Sequence, residues 1–205
     1  RKVYLPEIIS KFENWYQLDE HKENINYYEG KITGNYIRNL GNNDFVDFFY
    51  AFISEGGKIQ SGGERSKNQF RTSIIFMFVV FREFVLEPFS AKFDLKLWLN
   101  NLDEYKYFGI GIATIYLNRI NNSKFSVFNN KTIKALRELG FDLTESKNFT
   151  NYEKVNSIQL DLIRNFPSLQ NLYKTDALNH FVVGTRSGRQ LLINYVHKAL
   201  LEGSL

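Results

Sequence analysis

The stretch FGIGIATIYLNRINNSKFSVFNN, residues 108–130, decides how the rest of the chain is read. Gly109 and Gly111 bracket Ile110 and lead into the helical run IATIYLNRI. Glycine tolerates positive φ and lets another backbone come close, so the pair predicts a tight turn. A helix starting at Ile112 would offer its first amide N–H groups, and the positive end of its dipole, to an anion. Ile110 would plug the angle between the two arms. This is the logic of a helix–hairpin–helix, which grips a nucleic-acid backbone without reading bases. On the glycine pair alone, a plain turn between packed helices is the better reading. The charges shift it. Lys106, Arg119, Lys124, Lys131, Lys134 and Arg137 lie within 106–137 with no Asp or Glu among them. Lys131, Lys134 and Arg137 recur every third residue of the predicted helix NKTIKALRELG and form one basic flank. The predicted backbone-binding set is therefore Gly109, Ile110, Gly111, Ile112, Thr114, Lys124, Lys131, Lys134 and Arg137.

Working outward, helical periods dominate. PEIISKFENWYQL places Ile8, Ile9, Phe12, Trp15 and Tyr16 on one face. NNDFVDFFYAFIS follows an Asn or Asp cap and stops at Gly56-Gly57. One long helix is expected from Ser66 to Leu86, apolar on all sides in its middle and so central and buried. AKFDLKLWLNNLDEY, NYEKVNSIQLDLIRNF and LNHFVVGTRSGRQLLINYVHKALLEG supply further helices. No segment alternates strictly over six residues. The expected fold is all-α, a helix–hairpin–helix domain. It reads as one core over 1–205, or as two lobes sharing the central helix. The expected parts are an N-terminal helical lobe at about 1–65, a hairpin-containing core at about 66–185, and a last helix or exit linker at 186–205.

Composition narrows the function classes. The chain has no cysteine, which excludes thiol catalysis, disulfides and Cys-based metal sites. Its longest apolar run, IIFMFVVF at 74–81, has eight residues against the ~20 a membrane helix needs. A cytoplasmic protein with no membrane partner is expected. A net charge of +4 makes an anionic partner plausible. The opening Arg1 and the closing LLEGSL read as the ends of a piece of a larger protein.

Other constellations carry less. His21, His180 and His197 never pair at helical spacing, so no metal site is expected. The loop EGGKIQSGGERSKN at 55–68 lacks the G-K-[ST] ending of a P-loop, so no nucleotide hydrolysis is expected of the chain. Arg65, Lys67 and Arg71 after it form a second candidate phosphate contact. Asp176 is the best acid candidate, and capping by Thr175 or Asp176 would explain it without chemistry. Tyr105, Tyr107, Phe108, Phe125 and Phe128 flank the basic run and would stack a base if exposed, or belong to the core if buried. A pocket beside Phe128, Asn129 and Asn130 would take a flipped base.

The run YFGIGIATIYLNRI…KFSVFNNKTIKALRELG resembles two things. It is similar to the hairpin and following helix of the helix–hairpin–helix DNA glycosylases. It resembles more closely the helical region ahead of the motor in McrB-like AAA+ GTPases of modification-dependent restriction systems. SGGERSKNQFRTSI and TDALNHFVVG fit the same setting, and the likeness spans roughly 55–185. Where the glycosylase loop carries an aspartate, this chain has Asn129 and Asn130. Where the lyase-type enzymes carry a lysine, it has Ile112-Ala113-Thr114. Ser126 stands for a usual proline, and Tyr107-Phe108 for a usual Leu-Pro. The resemblance implies a scaffold without glycosylase chemistry: a DNA-binding, non-catalytic target-recognition domain that senses a modified base. It also implies an AAA+ motor downstream in the same chain, a nuclease subunit as partner, no cofactor, and a role in phage defence. A divergent glycosylase and a protein-interaction domain are the alternatives.

Overall fold

The computed structural model describes residues 4–17, 33–54 and 63–202, leaving aside the side chains of Ile53, Ser54, Glu64, Ser66 and Lys67. Of the glycine-rich loop expected at 55–68, residues 55–62 lie outside the described residues, and 63–68 are the first turns of a helix instead. Among the described residues there are eleven α-helices and no strand, so the chain is all-α. In chain order they are α1 (Leu5–Gln17), α2 (Gly34–Asn39), α3 (Asn42–Ser54), α4 (Gly63–Ile74), α5 (Phe78–Leu86), α6 (Leu95–Asn100), α7 (Ile110–Ile120), α8 (Asn130–Glu138), α9 (Phe149–Asn165), α10 (Leu172–Gly184) and α11 (Arg186–Leu201).

The long helix expected at 66–86 is two helices. It breaks at Ile75-Phe76-Met77, where Met77 leaves helical geometry at φ −133. The reason is the aromatic core. In a straight helix, Phe70 and Phe81 would sit about 16 Å apart along the axis. The break folds α5 back on α4, and their rings meet edge to face at 5.5 Å. Phe81 also packs on Phe49, Phe108 and Tyr105. Phe84 stacks on Trp98 at 4.7 Å. The Trp98 indole N–H donates to the Phe84 carbonyl, and the Tyr116 hydroxyl donates to the Val85 carbonyl. The elbow itself points outward, with Phe76 97 % exposed, so the run taken for a buried middle is partly surface.

The central helix is α10. Its buried residues, from Leu172 to Val182, lie all round it, and α1, α7, α8, α9 and α11 pack against it. Burial on nearly every side leaves no broad polar face, so its sequence shows little amphipathic signal. The N-terminal helix docks here rather than in an N-terminal lobe. Lys174 Nζ lies 2.7 Å from Glu13 Oε2, 2.8 Å from the Ser168 carbonyl and 5.0 Å from the Tyr16 ring centre. Tyr4 stacks on Tyr195 at 4.5 Å. The buried apolar side chains form one continuous cluster reaching from Leu5 to Tyr195.

Residues 186–201 form helix α11, packed on this core. Thr185 caps it by accepting from the Gly188 N–H at 3.0 Å. Gly188 is where α10 and α11 nearly touch: a Cβ there would lie 1.9 Å from the Phe181 carbonyl oxygen. Gly188→Ala should therefore lower stability by at least about 2 kcal/mol. Gly34→Ala, whose Cβ would meet its nearest atoms at 3.6 Å, should stay within about 0.5 kcal/mol. Urea unfolding of the two variants checks this.

Candidate nucleic-acid interface

Helix α7 begins at Ile110, two residues earlier than the sequence suggested. Gly109 is its N-cap, at φ −76 and ψ 173, and supplies no side-chain cap. The Ile112 and Ala113 amides donate to the Gly109 carbonyl at 2.9 and 3.0 Å. The amides of Ile110 and Gly111 precede the first intrahelical donors and remain open. A Cβ built on Gly109 meets nothing within 4 Å, so this helix start faces open space. The glycines do not serve positive φ as expected. The left-handed residue of the turn is Tyr107, at φ 64. Ile110 is half-buried and packs on the core.

The start of α8 is held against the start of α7. Thr114, buried on α7, places Oγ1 2.9 Å from the Ile110 carbonyl and accepts from the Phe128 N–H at 2.9 Å. Asn129 caps α8, its Oδ1 accepting from the Thr132 N–H at 3.0 Å. A Cβ on Gly111 would sit 3.6 Å from the Asn129 Cβ. The loop between the helices is tied down on both sides. Asn118 Nδ2 donates to the Phe125 carbonyl at 2.7 Å, and the Ser126 N–H donates to Asn156 Oδ1 at 2.8 Å. Two helix N-termini thus converge on one corner.

This geometry corrects several assignments. Phe128 is fully buried and packs against Tyr152 at 5.9 Å, so it offers no ring to a base. The Asn129 carboxamide oxygen is committed to its cap, and of the expected pocket only Asn130 is exposed. Thr114 is a buried strut rather than a phosphate contact, and Ile112 is half-buried. Of the five aromatics flanking the basic run, Tyr105, Phe108, Phe125 and Phe128 are buried and only Tyr107 is exposed.

The cations sort into two groups. Lys106 and Lys134 are exposed and make no ion pair among the described residues. Lys124 is exposed, its Nζ 5.1 Å from the Phe125 ring centre. Lys131 sits in the first turn of α8, where the helix dipole disfavours a cation. Arg137 is different: Glu145 pairs with it, and the cleft of about 620 Å³ beside it is lined by Lys134, Arg137, Glu138 and Glu145. The basic flank is therefore neutralised at its far end. Arg119 turns inward, donating to the Phe52 carbonyl. Arg71 pairs with Asp47 at 2.6 Å, Arg65 is exposed, and the side chain of Lys67 lies outside the described residues.

The acid candidate Asp176 is fully buried within α10, beyond reach of a substrate. Asn171, not Thr175 or Asp176, caps that helix, accepting from the Lys174 N–H at 2.9 Å. Thr175 instead bonds Gln159 at 2.8 Å inside the core. His180 is half-buried beside Trp15, and His197 is exposed. No group of three or more metal-ligating side chains occurs among the described residues, and none of their helices is long and apolar enough to cross a membrane. Comparison with protein-family models, with curated proteins and with solved structures returned no match.

Removing the Thr114 hydroxyl should loosen the corner. Thr114→Val leaves the buried Phe128 N–H without its acceptor, at a cost of about 1–3 kcal/mol. Urea unfolding should show that loss, and hydrogen exchange should show faster exchange at the Phe128 amide.

Proposed function

We propose that this is a non-catalytic DNA-binding domain that holds a phosphate backbone at the α7–α8 corner. The observation that carries it is the convergence of two helix N-termini, one of them without a side-chain cap, with no acid in either first turn and one cation, Lys131, in that of α8. Helix starts attract anions through free amides and the dipole. A structural corner would gain stability from an Asp or Glu there, yet α8 has Lys131 instead. Lys106 and Lys134 add attraction, and Lys124 extends it. Arg137 takes no part, being paired with Glu145.

The resemblance of the GIG run and the Lys-Thr helix to McrB-like AAA+ GTPases supports placing the domain ahead of such a motor, in a restriction system with a nuclease subunit. The non-catalytic reading is supported by the burial of Asp176 and the use of Asn129 as a cap. Neither can supply the carboxylate a glycosylase would need at the hairpin.

Fluorescence anisotropy with a short labelled duplex tests the proposal. Between about 50 and 200 mM salt, wild-type affinity should fall about ten- to a hundredfold. Lys106→Gln and Lys134→Gln should each reduce the salt slope by about one, and Arg137→Gln should leave it unchanged. No binding at the lower salt would assign the corner to an acidic protein partner instead.

A further inference from the structure

We infer that the cleft between α4 and the Lys106–Tyr107 turn is a pocket for one unstacked nucleobase of the strand held at α7. The inference rests on the DNA-binding reading above and moves the base site away from Phe128–Asn130. The cleft has a volume of about 1040 Å³, room for a nucleotide.

Tyr107 is the wall. Its neighbours Tyr105 and Phe108 are anchored in the core, the first 4.5 Å from Phe84 and the second 5.3 Å from Phe81. Between them Tyr107 turns outward in left-handed backbone, an uncommon conformation for an aromatic residue, and is 52 % exposed. Its ring and hydroxyl make no stack or hydrogen bond among the described residues. Ser73 Oγ lies 3.2 Å from the Lys106 carbonyl and fixes the turn against α4. The result is an outward aromatic platform three residues before the first open amide of α7. Base–aromatic stacking needs little else and tolerates any base.

The opposite wall is polar. Arg65, Asn68, Gln69 and Thr72 share one face of α4, at i, i+3, i+4 and i+7. The Asn68 and Gln69 carboxamides have no partner among the described residues, and each offers both a donor and an acceptor, as a base edge requires. Glu104, the one carboxylate among the described lining residues, only accepts and so suits an edge bearing an amino group. Arg65 and Lys106 have no ion-pair partner among the described residues and suit the flanking phosphates.

The base can come from a single strand or from a duplex that extrudes it. Both are presented, as an oligonucleotide and as a duplex with one unpaired position, each carrying 5-iodocytosine at that position. Irradiation followed by peptide mass spectrometry should place a cross-link on Tyr107 with one or both substrates, and the one cross-linked names the source. Tyr107→Ala should weaken binding of that substrate about tenfold. Its salt slope should be unchanged, because no phosphate contact is removed. Tyr107→Phe should restore the affinity, and circular dichroism should show both variants folded. Salt-dependent binding that is indifferent to Tyr107→Ala and gives no cross-link there would overturn the pocket and leave the phosphate reading standing. Absence of salt-dependent binding by the wild type would overturn both.

Discussion

The Thr114 hydroxyl ties helix α7 to the end of the loop that leads into α8. It lies within hydrogen-bond distance of the Ile110 carbonyl on its own helix and accepts from the Phe128 amide on the loop into α8. That places the first turns of α7 and α8 side by side. Two like dipole ends repel, so the arrangement carries an electrostatic cost that buried packing around Phe128, Tyr152 and Leu136 must offset. An anion placed at the corner would relieve the cost. The same geometry explains why a lysine in the first turn of α8 is informative: it adds to the positive potential instead of cancelling it.

The core is built to present this corner. Phe49, Phe70, Phe81, Phe84, Trp98, Phe108 and Tyr116 form a connected set of ring contacts. Closing that set requires the chain to double back at residues 75–77. The fold-back lays the polar face of α4 alongside the turn that leads into α7. Phe108 enters the core immediately before the open helix start, which fixes where Gly109 sits. On the other side, α10 carries α8 and α9, and Lys174 clamps α1 to it through Glu13. The α7–α8 corner and the cleft beside Tyr107 are thus both by-products of how aromatic rings are satisfied.

The all-helical class was legible because the helix starts announce themselves and no segment alternates. Asn129, Asn148 and Asn171 each cap a helix, and Gly140 takes the left-handed position after Leu139. A helix start close to Gly109 and Gly111 was legible from the two glycines, though the reason was not. Their φ angles are ordinary, and what matters is that nothing covers Gly109. The break at 75–77 was hidden because the apolar spacing of Phe70, Ile74, Phe81 and Phe84 suits one straight helix, and only the cross-contact of Phe70 with Phe81 excludes it. The central role of α10 was hidden because a helix buried on all sides has no periodic signature. Arg137 read as part of a basic stripe because its partner Glu145 lies beyond the helix. Tyr107 could not be told from Tyr105 and Phe108 by residue type; the core takes two of the three, and the left-handed backbone at residue 107 decides which is left out.

The most direct measurement combines folding and binding in one variant, Gly109→Asp. The cap geometry already suits an aspartate, and nothing occupies the space a side chain would need. The new carboxylate would accept from the open amides of α7 and raise stability by about 0.5–1 kcal/mol. It would also fill the place proposed for phosphate, so duplex affinity at low salt should fall sharply as the melting temperature rises. A variant that melts higher and binds DNA as well as the wild type would contradict the account.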